Sequence, residues 1–167
     1  LPRLWDEINE TGDIEGRRQA ITEFNKAHRW TKRGMATIPT MYGINFPVKY
    51  LNQAGAQVLV YCDGSVLVTH AGTEMGQGLH TKCIQVAAQV FGIPVADVHI
   101  AETASDRVHN TSPTAASVGS DLNGMATLDA CEQIQARLRP VYEEYPDLPF
   151  RDICMKAYKR QINLGAQ

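Results

Sequence analysis

At 167 residues the chain is long enough to bury one sizeable core, and its 44% hydrophobic and 20% charged shares are ordinary for a globular protein. A formal net charge of −2 gives no basic field for nucleic acid or an anionic membrane and disfavours both as partners. No apolar run approaches membrane-spanning length, and no charged-then-apolar leader opens the chain.

Pro2 to Glu10 and Asp13 to His28 read as two helices split by Thr11-Gly12. Proline suits a first helical turn, and Asp13 suits an N-cap with Glu15 close behind it. Ile14, Arg17, Ile21, Phe24 and His28 fall near one face, as in an amphipathic surface helix. Lys32-Arg33-Gly34 then leads into a short β-like run, Met35 to Ile38, closed by Pro39. Ala56 to Tyr61 and Ser65 to His70 predict a hairpin across Cys62-Asp63-Gly64, since Asp-Gly tolerates the positive φ of a tight turn. Val58, Val60, Val66 and Val68 repeat with a period of two, so one face is buried.

The second strand runs into a glycine-rich turn, Ala71 to Gly78. A helix follows from about Leu79 to Phe91, with Leu79, Cys83, Val86, Ala87 and Val90 at helical spacing and Gly92 as its stop. Pro94 to Asp97 is a turn, Val98 and Ile100 alternate as a strand, and Ser105 to Thr114 is polar loop. A long helix is predicted from about Ala115–Ser117 to just before Pro140, apolar at Val118, Leu122, Met125, Leu128, Ala130, Ile134 and Leu138. Phe150 to Arg160 reads as the last helix, before a strand-like stub that runs to Gln167. With no repeat, low-complexity tract or linker, this alternation predicts an α+β (mixed α/β) fold, residues 1–167 forming one piece of a domain. Cys62, Cys83, Cys131 and Cys154 have no Cys-x-x-Cys or zinc-like spacing, and the apolar segments around them predict buried, reduced thiols.

Two segments carry chemistry. In Met75-Gly76-Gln77-Gly78 the glycines clear side chains from a strand-to-helix junction, so a ligand can approach the backbone. N–H groups of the first helical turn would then face it, with the helix dipole favouring negative charge. Gln77 adds an amide that both donates and accepts. A bare tight turn explains the glycines equally well, and the residues alone leave both readings open. Leu79 follows Gly78 where a Walker A loop needs Lys, and no third glycine completes a dinucleotide fingerprint. In Asn110 to Ser117, hydroxyls and small side chains precede another helix and can cap it. Their second reading is a further set of donors held close to a ligand by Ala115 and Ala116. His70 and His80 lack the further ligands of a metal site and read as packing or surface groups. Ser117 lacks a nucleophile elbow.

Taken jointly, Asn52–Ala56, Tyr61–Val66, Gly72–Lys82 and Asn110–Ser117 resemble the xanthine dehydrogenase/oxidase family, in the same order and at about the same separations. Leu1–Asp6, Lys32–Gly34 and the closing tail resemble it too. The resemblance implies an internal fragment of the molybdenum-cofactor domain of a hydroxylase that converts hypoxanthine to xanthine and xanthine to urate. It implies molybdopterin with molybdenum here, and 2Fe-2S clusters, FAD and NAD on parts of a longer chain outside this one. Met75, Gly76 and Gln77 would touch the pterin; Ala115, Ala116 and Ser117 would lie beside cofactor and metal, Ala116 being the metal-side residue.

Phe46 and Pro47 would form the purine wall, where the family has a Phe-Thr pair. Pro47 lacks the hydroxyl and the backbone N–H of that threonine. Ala71 and His109 stand where the family usually has Gly and Pro. The family's base, a glutamate in a Gly-Glu-Pro-Pro-like motif, has no counterpart here, so the isolated chain is expected to be inactive. Partners implied are the purine, the rest of the parent chain and a second copy in a homodimer, in the cytoplasm or the peroxisome. An aldehyde oxidase-type enzyme or a non-catalytic scaffold relative are the rival readings.

Overall fold

The period-two valines form the middle of a sheet. In the computed structural model, which describes residues 1–167, β1 (Ala56–Val60) and β2 (Val66–His70) pair antiparallel, with Val58 opposite Val68 and Val60 opposite Val66. Gly64 takes φ 88° in the turn between them, and Asp63 Oδ1 accepts from the Ser65 N–H at 3.0 Å and hydroxyl at 2.7 Å. β3 (Val98–Ile100) adds parallel to β2 and β4 (Gly165–Ala166) antiparallel to β1, giving the order β3-β2-β1-β4. The sheet belongs to the second of two compact units, Gly43–Gln167.

Three helices complete that unit. α3 (Leu79–Phe91) crosses over between the parallel strands β2 and β3 and stops at Gly92, whose φ of 66° suits glycine best. α4 (Gly119–Glu144) packs against α3, β1 and β4, and α5 (Phe150–Lys159) against α4. The valines of β1 and β2, Leu79 and Cys83 of α3, Ile134, Leu138 and Val141 of α4, and Ile153 of α5 are all buried in one cluster. This is the α+β class expected. Cys83, Cys131 and Cys154 are buried free thiols, whereas Cys62 is exposed in the hairpin turn. Burial pushes the thiols of Cys131 and Cys154 up to about 12, so they stay protonated.

α4 departs from expectation at both ends. It begins at Gly119, because Ala116 and Ser117 both take positive φ (57° and 56°) and cannot belong to a right-handed helix. It also continues through Pro140 to Glu144. A proline there denies the Ala136 carbonyl its donor and costs about 3 kcal/mol. Leu138 and Val141 on either side are fully buried, and their packing outweighs that cost. Pro140→Ala is therefore expected to raise stability by about 1–3 kcal/mol, once the greater freedom of unfolded alanine is subtracted. Urea unfolding measures it, and a loss of stability would mean that the proline ring itself is needed for packing.

The first unit, Leu1–Tyr42, holds α1 (Pro2–Thr11) and α2 (Ile14–Ala27). Asp13 turns the chain between them at φ 46° and accepts from the Gly16 N–H, so it is the N-cap expected. The Asn25 side chain clamps Arg33 by donating to its carbonyl (2.9 Å) and accepting from its N–H (2.8 Å). Met35 to Ile38 is not a strand: no other strand pairs with it, and a lone extended segment has no ladder to satisfy its backbone. Neither helix has a buried residue, and Leu1, Leu4, Trp5 and Ile8 are exposed along α1.

The parallel pairing of β2 and β3 places the site. Two parallel strands finish at the same end of the sheet, so the segments leaving them start together; the first leads into α3 and the second into α4. Ligand sites in such arrangements lie outside the carboxyl ends of parallel strands.

Candidate functional site

The glycine loop after β2 is shaped by a carboxylate. Glu74 Oε1 accepts from the N–H groups of Gly76 (2.8 Å) and Gly78 (2.9 Å), and Oε2 accepts from the N–H of His80 (3.1 Å). The His80 and Gly78 donors, with help from Gly76, pull its pKa down to about 2, so it is ionised at any ordinary pH. Glu74 thus satisfies the start of α3, where Gly78 itself offers no side chain. The expectation was that N–H groups of the first helical turn face a ligand; of that turn, the His80 N–H faces Glu74 instead, as do those of Gly76 and Gly78 ahead of it. Gln77 also folds back, accepting from the Met75 N–H (2.6 Å) and donating to the Thr73 carbonyl (2.8 Å).

The turn before α4 has a different character. Two consecutive non-glycine residues at positive φ, Ala116 and Ser117, are strained backbone, which proteins keep where the bent chain serves a purpose. The cap position, Val118, supplies no side-chain bond, and the first backbone bond of the helix runs from the Leu122 N–H to the Val118 carbonyl. N–H groups in the first turn of α4 therefore lack helical partners and present positive dipole ends.

These two turns border one groove of about 470 Å³, lined by Met75, Gln77, Lys82, Thr114 to Ser117, Gly119 and Ser120. Two hydrogen bonds tie its walls together: the Thr73 N–H donates to Thr114 Oγ1 (2.8 Å), and Lys82 Nζ donates to Ser120 Oγ (2.9 Å). Of the residues singled out in the sequence, Met75, Gln77, Ala115, Ala116 and Ser117 line this groove. Gly76 sits at the bend of the loop, turned to Glu74. Phe46 and Pro47 are not among the lining residues. Phe46 is held by Asn52, which accepts from its N–H and donates to its carbonyl, both at 3.0 Å. The preceding Asn45 donates its N–H to the Ala116 carbonyl (3.1 Å), fixing this segment to the turn. Glu74, Lys82 and Ser120 were missed in the sequence. An acid four residues ahead of a helix-opening glycine was the available signal for Glu74.

A mixed sheet backed by helices, with turns leaving the ends of two parallel strands, is also found in solved structures. Quinoline 2-oxidoreductase from Pseudomonas putida 86 aligns over 96% of this chain and 25% of its own, with a TM-score of 0.64 at 19% identity, a likeness of fold alone. The sequence matches the molybdopterin cofactor-binding domain family over residues 7–167, and the chain belongs to that family. It is 54% identical over 166 residues to a xanthine dehydrogenase of Dictyostelium discoideum and 58% identical over 166 residues to one of Drosophila pseudoobscura pseudoobscura. Each alignment covers 99% of this chain and 12% of the relative. The resemblance read from the sequence blocks is borne out. The donor set fits the cofactor that the family name implies. An amide, three hydroxyl residues, an ammonium and helix-start N–H groups suit a polar heterocycle with an anionic tail, and the groove is of small-ligand size.

Proposed function

We propose that the chain is part of a molybdenum-dependent hydroxylase that oxidises hypoxanthine to xanthine and xanthine to urate. Its share is the cradle of the pterin cofactor and one wall of the purine pocket, both units being parts of one molybdopterin-binding domain. The observation that carries this is the single groove shared by the glycine loop and the Ala115–Ser117 turn, within residues that match the family.

Met75 and Gln77 hold the pterin from the loop of α3, with Gly76 at the bend; Ala115, Ala116 and Ser117 hold it from the start of α4, Ala116 on the metal side. Molybdopterin supplies the molybdenum that accepts electrons from the purine. Gln77 uses one Nε2 hydrogen within the loop and keeps the other for a ligand edge. Phe46 offers an aromatic face to the purine, while Pro47 offers ring carbons only. The 2Fe-2S, FAD and NAD sites belong to the rest of a longer parent chain, which acts as a homodimer in the cytoplasm or peroxisome. No helix of the structure is long and apolar enough to cross a membrane.

Gln77→Ala in that parent protein is expected to weaken cofactor binding by about 1–3 kcal/mol, through the lost amide. Molybdenum content at limiting cofactor reads this out. An unchanged content would remove Gln77 from the cofactor site.

A further inference from the structure

We propose that His70 and His80 are a positioning pair, two neutral imidazoles in one directed hydrogen-bond chain that fixes the loop Gly72–Gly78 and so the groove wall at Met75 and Gln77. The positioning stands on geometry; only the nature of what the groove binds rests on the function proposed above.

His70 closes β2 and is fully buried, with no acid in contact to keep it charged. A neutral imidazole has one donor and one acceptor nitrogen, and its neighbours decide which is which. The Gly72 N–H reaches His70 Nδ1 at 3.1 Å, and a backbone N–H can only donate. Nδ1 is therefore the acceptor and the proton sits on Nε2. His70 Nε2 lies 2.8 Å from His80 Nδ1, so His70 donates and His80 accepts, which puts the His80 proton on its own Nε2. His80 in turn gives its backbone N–H to Glu74, which gathers Gly76 and Gly78. Thr103, just beyond β3, donates its hydroxyl to the His70 carbonyl at 3.2 Å.

One buried ring thus links β2, the loop, α3 and the segment after β3. Reversing either tautomer, or charging His70, sets N–H against N–H. A leucine at position 70 would fill the space but leave the Gly72 N–H and His80 Nδ1 without partners.

The test uses the full-length protein, hydrogen exchange read by mass spectrometry, and two variants. His80→Leu removes the acceptor; His80→Asn keeps an oxygen near the place of Nδ1. In His80→Leu, amides of residues 72–80 should exchange about tenfold faster, with β1 and β2 unchanged and molybdenum content lowered several-fold. His80→Asn should stay within about twofold of wild type. No acceleration in His80→Leu, equal acceleration in His80→Asn, or acceleration spread through the hairpin overturns the proposal. Faster loop exchange with unchanged molybdenum upholds the positioning pair and sinks the cofactor reading instead. Ring ¹⁵N shifts of histidine-labelled wild-type protein give a check free of variants: both rings should be protonated on Nε2, and Nδ1 protonation of either overturns the pair.

Discussion

Leu138→Ala is expected to lower the unfolding free energy by about 2–5 kcal/mol, measured by urea unfolding at neutral pH. Leu138 is fully buried on α4, the helix that touches α3, α5 and the strands β1, β2 and β4. Removing its branched end loses the transfer free energy of three carbons and leaves a hole that the surrounding core must collapse to fill. Met125 on the same helix gives the control. The hydrophobic spacing of the sequence placed it with the packing residues, yet it is 62% exposed. Met125→Ala should therefore change stability by no more than about 0.5 kcal/mol. Equal losses at the two positions would mean that α4 buries a different face.

Met125 shows where reading the sequence stops. Spacing identifies a helix and its general apolar side, but a 26-residue helix drifts in angle, and only its neighbours decide which edge of the stripe is covered. The hairpin and α3 were legible because local signals agreed: alternating valines around Asp63-Gly64, then helical spacing bounded by Gly78 and Gly92. The start of α4 was not, since left-handed Ala116 and Ser117 leave no mark in a hydrophobic pattern. Met35 to Ile38 carried strand-like residues but had no partner, and pairing is non-local. In the site, residue types pointed to Met75, Gln77 and Ala115 to Ser117. That they meet follows from the parallel pairing of β2 and β3, which no local segment encodes. Glu74 at the start of α3 is likewise a relation between a loop side chain and the backbone around it.

The pH dependence of stability should carry the signature of His70. Burial, with His80 adding to it and Glu74 opposing, lowers its pKa from 6.5 to about 4. Unfolded, the ring takes its proton near 6.5; folded, it waits until about 4, so between those values the folded state binds fewer protons. Stability then falls as pH falls. The contribution is intact above 6.5, is lost progressively on the way down, and flattens below about 4, where the folded ring is charged as well. A lowering of this size corresponds to about 3 kcal/mol over the interval. The structure says where the damage begins. A charged His70 has a hydrogen on Nδ1 facing the Gly72 N–H, so the glycine loop should loosen before the sheet does. His70→Asn separates this from the carboxylates and the other histidines, because its oxygen can still accept from Gly72 but does not titrate. Urea unfolding of both proteins at about pH 7 and about pH 4.5 should show wild type losing about 2–3 kcal/mol more than His70→Asn across that span. Parallel losses in the two proteins would mean that His70 carries its proton in the folded state, and the neutral chain from Gly72 to His80 would then be wrong.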